Sequence, residues 1–140
     1  MVEYSKEAEI EKDIEVFTKT YFENNEIEKM PRRYKYELGV STKEAILEMD
    51  KSFCKGWRSS IPESKLHYYE DASGLIMFIQ HNLNRMNDLN VIDNRTKAIF
   101  DLLTHKIDKQ LLSLTNSMRK KTRKRQSVGD DESTGGELNN

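Results

Sequence analysis

Three cations and two tyrosines fill five residues after a proline in Pro31-Arg32-Arg33-Tyr34-Lys35-Tyr36, and Leu38 and Gly39 close the stretch. Guanidinium and ammonium groups beside aromatic rings suit phosphate pairing and base stacking. The stretch therefore reads as a basic docking edge for RNA, DNA or a nucleic-acid-bound partner. A charged helix connection explains the same residues, and their chemistry leaves both readings open. A second run, Arg119-Lys120-Lys121-Thr122-Arg123-Lys124-Arg125, holds six cations and no acid. It is either an interaction tail for a polyanion or a solvated end. Arg58, beside Trp57, and Arg85 complete the binding candidates, because arginine forks onto phosphate and stacks on bases. The alternative for each is an ordinary surface ion pair.

Catalytic patterns are missing. A di-metal bundle needs Glu-x-x-His, but Ser64, Phe78 and Leu102 stand three residues before His67, His81 and His105. His67, Glu70 and Asp71 are better read as a solvated polar face than as ligands. Cys54 lies between Lys51 and Lys55, which would lower its pKa, yet no histidine is near it in sequence, and a small core residue is the simpler assignment. The chain has no glycine-rich phosphate loop, no Gly-x-Ser-x-Gly and no His-Glu-x-x-His. The expectation is a non-enzyme with no cofactor and no metal.

At 140 residues there is room for one core. With 36% hydrophobic and 34% charged residues but six glycines and two prolines, the composition suits a helical protein with wide solvated faces. No apolar run approaches the roughly 18 residues of a membrane span, and the start is too acidic for a secretory signal, so a cytoplasmic location is expected. A single cysteine excludes an intrachain disulfide. The net charge of −1 conceals an asymmetry, for residues 1–30 hold nine acids against four lysines.

Helical spacing supplies the elements that would carry these residues. Ile10, Ile14, Phe17 and Tyr21, continued by Ile27 and Met30, mark a first helix over about 6–29. Pro31 ends it, and the corner that follows should hold Tyr34, Tyr36 and Leu38 as apolar anchors while Arg32, Arg33 and Lys35 face outward. Gly39 supplies backbone freedom. Ser41-Thr42-Lys43-Glu44 has the form of a capping box and opens a helix over 41–58 that buries Ala45, Ile46, Met49, Phe53 and Trp57. Ser60-Ile61-Pro62-Glu63 repeats the device for a helix over 61–89. Leu66, Tyr69, Ala72, Ile76, Ile79, Leu83 and Met86 form its stripe, and Leu75 and Phe78 widen it. Asp93 or Asn94 caps a helix over 94–120 that carries Ile99, Leu103, Ile107, Leu111, Leu114 and Met118, with Phe100, Leu102 and Leu112 alongside. Residues 121–140 should be a basic and then disordered tail. Four such segments predict an all-α, antiparallel up-down-up-down four-helix bundle over 1–120. The broad arcs of its last two helices predict self-association, which would multiply a modest positive surface.

Met-Pro-Arg-Arg-Tyr-Lys-Tyr-Glu-Leu-Gly at 30–39, three further helices, and Leu-Asn-Arg-Met-Asn-Asp-Leu-Asn-Val-Ile at 83–92 together resemble one family. It comprises the four-helix-bundle accessory variability determinant (Avd) of diversity-generating retroelements and the proteins encoded by intervening sequences of bacterial 23S ribosomal RNA. The corner is the most specific part, and about residues 6–120 match in order and length. The resemblance implies a ring-shaped homopentamer without catalytic residues. Its implied partners are a reverse transcriptase, the template RNA and the cDNA, and its implied role is to support mutagenic cDNA synthesis and retrohoming. Arg32 and Arg33 match the family's basic corner, and the basic end of the last helix falls where members also carry cations. The slightly acidic total charge departs from the retroelement proteins. The other function the family allows is a ribosomal-intervening-sequence scaffold with no part in reverse transcription.

Overall fold

Ser5 opens the first helix, its hydroxyl accepting the Ala8 amide at 3.3 Å, and α1 runs Lys6–Phe22. The computed structural model describes residues 5–133, with side chains at 5–121 and 123. The expected single helix over 6–29 is interrupted. Asn24 turns to extended backbone and accepts the Ile27 amide at 3.0 Å, which starts a separate turn, α2 (Asn25–Glu28). A side-chain acceptor that competes for the amides of the next turn ends one helix and caps another.

After Pro31 the chain resumes helical winding at once, in α3 (Arg32–Tyr34), a π-helical stretch Lys35–Val40, and α4 (Ser41–Arg58). The expected capping box at Ser41 is therefore not used as one. Ser41 continues a helix already formed, and no side chain caps α4. Ser60 likewise caps nothing. Ile61 is the extended residue before α5 (Pro62–Asp88), and Pro62 takes the first helical position, where its missing amide costs no bond. Asp93 caps α6 (Asn94–Ser133) by accepting the Thr96 amide at 2.8 Å. That helix passes well beyond the expected end at 120; Lys, Arg and Gln through residue 126 are good helix formers whatever their charge. Residues 134–140 of the expected disordered tail lie outside the described residues.

α1 packs on α4 and α6, α4 on α5, and α5 on α6, so the long helices enclose one apolar core. The described residues contain no strand, and no described helix is long and apolar enough to cross a membrane. Ile10, Ile14, Phe17 and Tyr21 are buried from α1, Ile46, Met49 and Phe53 from α4, and Tyr69, Ala72, Ile76, Ile79, Leu83 and Met86 from α5. The face of α6 differs from the expected one. Phe100, Thr104, Ile107, Leu111 and Thr115 are buried, whereas Ile99, Leu102 and Leu112 are exposed. The 3.6-residue period through Ile107 selects the threonines, and Thr104 enters the core by bonding the Phe100 carbonyl at 2.9 Å. Trp57 and Phe78, expected inside, are also exposed. Buried Asn82 donates to Thr42 at 3.1 Å and ties α5 to α4. Gly56 lets those helices approach, for a Cβ there would sit 2.6 Å from the Tyr69 ring.

Candidate nucleic-acid interface

The elbow is a wound helix start, not an open corner. Pro31 has extended backbone, and its carbonyl accepts the amides of Tyr34 and Lys35 at 3.0 and 2.9 Å. Four residues separate Tyr34 from Leu38, about one turn, so both face the core: Leu38 is buried and Tyr34 half-buried. Tyr36 lies half a turn away from them and is 80% exposed, which corrects the expectation that it anchors the elbow. A π turn carries one extra residue and spoils the regular carbonyl pairing. The buried Tyr21 hydroxyl repairs it by donating to the Gly39 carbonyl at 3.1 Å, and burial pushes its ionisation far above the usual phenol range.

Arg32, Arg33 and Lys35 are exposed, and none forms an ion pair among the described residues. The Arg33 guanidinium lies over the Tyr34 ring, 4.6 Å from its centroid. Lys35 Nζ donates to the Glu28 carbonyl at 3.2 Å, which fastens α2 to the elbow. Between α2, the elbow and the α5–α6 connection is a hollow of about 490 Å³, lined by Lys29, Pro31, Arg33, Tyr34, Leu89 and Asn90 among others. The two sequence stretches at 30–39 and 83–92, distant along the chain, meet here.

The connection is shaped by the end of α5. Asn90 takes φ 61°, the left-handed region, while the Val91 amide bonds the Met86 carbonyl at 2.9 Å and the Asn90 amide bonds the Asn87 carbonyl at 3.0 Å. This is the double closure of a Schellman turn, with asparagine where glycine is commoner. Glu26 also lines the hollow, but its carboxylate is engaged, accepting the Asp93 amide at 3.1 Å and the Thr96 hydroxyl. The Thr96 amide in turn holds the Asp93 carboxyl below the usual range.

The remaining candidate cations do not join this site, apart from Arg85, which is exposed on the last turn of α5 at the same end. Arg58 closes α4 at the opposite end, about 27 Å away for an 18-residue helix. There Lys121 lines a second hollow with Ser59, Pro62, Lys65 and Met118. Arg119 is already paired, both its Nε and Nη2 donating to Glu70 Oε2 at 3.0 and 2.7 Å. Lys120, Lys121 and Arg123 are exposed, whereas the side chains of Lys124 and Arg125 lie outside the described residues. The cations thus form two separated groups. Glu70 faces Arg119 while His67 Nε2 lies 3.5 Å from Asp71, so the His67, Glu70, Asp71 trio is not gathered into one ligand set.

A third cluster carries no signal in the sequence. Glu11 of α1 meets Asp50 and Cys54 of α4, with one atom of each within 4.8 Å of the others. The Cys54 thiol donates to Glu11 Oε1 at 3.5 Å and Asp50 Oδ1 at 3.7 Å. Burial, then the two carboxylates, push that thiol up to about 12, the reverse of what its neighbouring lysines suggested. Burial and Asp50 raise Glu11 to about 7. The three could each offer one ligand atom to a cation, but only after two of them lose protons. Asp50 and Cys54 are four residues apart, one helical turn, but Glu11 lies on another helix far earlier in the chain, and only the α1–α4 packing brings the three together.

No family model, curated protein or solved structure matches this chain.

Proposed function

We propose that this protein is a non-catalytic accessory subunit of a diversity-generating retroelement, binding a reverse transcriptase and its template RNA through the elbow. One observation carries the reading: Arg32, Arg33 and Lys35 stand exposed within four residues, without an ion-pair partner among the described residues, beside a hollow. Uncompensated cations next to Tyr34 and exposed Tyr36 suit a polyanion with stackable bases. The resemblance of 30–39 and 83–92 to the Avd family supplies the particular partners.

In this reading the four long helices run up-down-up-down, each antiparallel to the next, and the subunits close into a homopentameric ring. The exposed apolar side chains of Met77, Phe78, Ile99, Leu102 and Leu112 on α5 and α6 support self-association, and the ring repeats the elbow around its rim. Light scattering at micromolar concentration should give a multiple of the 16.5 kDa chain mass, and a monomer mass rejects the ring.

RNA binding measured against salt tests the function. Binding should weaken steeply as salt rises, and replacing Arg32, Arg33 and Lys35 by alanine should flatten the log–log slope by about 2, at roughly 0.7 per lost single-strand phosphate contact. Undetectable binding with RNA and polymerase both present rejects the proposal.

A further inference from the structure

We propose that the hollow between the elbow and the α5–α6 connection seats one unpaired nucleotide of a single-stranded RNA. This inference rests on the nucleic-acid reading above and names the ligand of that site. Its volume of about 490 Å³ falls in the range of small-ligand pockets, roughly 300–1,000 Å³. Its wall carries the three features that an extruded base requires. The Arg33 guanidinium carbon lies over the half-buried Tyr34 ring, 4.6 Å from its centroid, so a planar cation and an aromatic ring stand together where a base can stack. The Asn25 and Asn90 side-chain amides make no hydrogen bond among the described residues, and each offers both a donor and an acceptor to a base edge. Lys29 supplies a point charge for the adjoining phosphate.

The site is preformed. The backbone of Asn90 is fixed at φ 61° by the two hydrogen bonds that end α5, so the position from which its side chain projects needs no further ordering. The one carboxylate on the wall, Glu26, is turned to the start of α6, where it accepts from the Asp93 amide and the Thr96 hydroxyl, and it forms no ion pair with Arg33. Charge alone would suit any polyanion. A stacking plane beside two unengaged amides suits a base, and a base reaches the hollow only when it is out of a duplex.

The test uses the full chain, a fluorescein-labelled single-stranded RNA of mixed sequence, the same strand annealed to its complement, and poly-glutamate. Asn90→Gly removes the amide while placing at φ 61° the residue best suited to it, and Arg33→Lys keeps the charge but removes the plane. Each should weaken single-strand binding roughly tenfold, leave duplex binding unchanged and preserve the salt slope. Wild-type affinity in both variants, with the native protein still binding RNA in a salt-dependent way, overturns the subsite but leaves the proposed function standing. Equal loss on single strand and duplex also overturns it. Poly-glutamate bound as tightly as RNA and released by the same variants assigns the hollow to acidic peptide instead. A native protein that binds no RNA, with or without polymerase, overturns inference and function together.

Discussion

Replacing Glu11 by glutamine should make the protein more stable, and only at neutral to alkaline pH. Glu11 is half-buried between α1 and α4, where desolvation first and the Asp50 carboxylate second raise it from 4.5 to about 7. Unfolded, the same carboxyl ionises near 4.5. Between those values the folded chain holds a proton the unfolded chain has released, so stability falls as pH rises through this window. The penalty is absent near pH 4 and complete above about pH 7. At about 1.4 kcal/mol per tenfold change in proton affinity, its ceiling is about 3 kcal/mol. Glu11 retains substantial solvent contact, and screening reduces the expected value to about 1–2 kcal/mol. Thermal melts followed by circular dichroism should show Glu11→Gln and native protein nearly matched at pH 4.5. At pH 8 the variant should melt roughly 3–8 °C higher. Asp50→Asn should give a smaller gap of the same sign, because it removes the second cause and leaves Glu11 desolvated, and the double variant should fall short of the sum. A gap that is the same at both pH values refutes the raised ionisation of Glu11 as its source.

Gly56→Ala should destabilise the protein by about 1–3 kcal/mol in urea melts, because the new methyl meets the stacked Tyr69 ring at 2.6 Å and α4 must draw back from α5. Tyr21→Phe should cost about 1 kcal/mol and speed amide hydrogen exchange across 35–40, where the Gly39 carbonyl loses its buried donor.

Much of the helical content was legible in the chain itself. The stripes of α1, α4 and α5 follow from spacings of three and four among Ile10, Ile14, Phe17, Tyr21, Ile46, Met49, Phe53, Ile76, Ile79 and Leu83, because a buried face must recur with the helix period. Pro62 marked a helix start through its fixed φ and missing donor, whereas Pro31, expected only to end the first helix before an open corner, also begins the winding that leads into α4. The capping boxes misled, since Ser41 and Ser60 have the right letters but Ser41 lies within winding already begun at Arg32. The α6 face misled because a threonine hydroxyl can enter a core by bonding its own helix, so apolar spacing alone chose Ile99 over Thr104.

What the sequence by itself determined is the inventory: amphipathic helices, a cationic elbow after the first, and a second cationic run near the end. Only the tertiary structure decided how that inventory is distributed. It joined Arg33 and Tyr34 to Asn90 in one hollow, sent Arg58 and Arg119 to the other end, and pressed Glu11 against Asp50 and Cys54. Periodicity fixes the side of a helix on which a residue lies. Which neighbour that side meets depends on packing between segments far apart in the chain, and no local pattern encodes it.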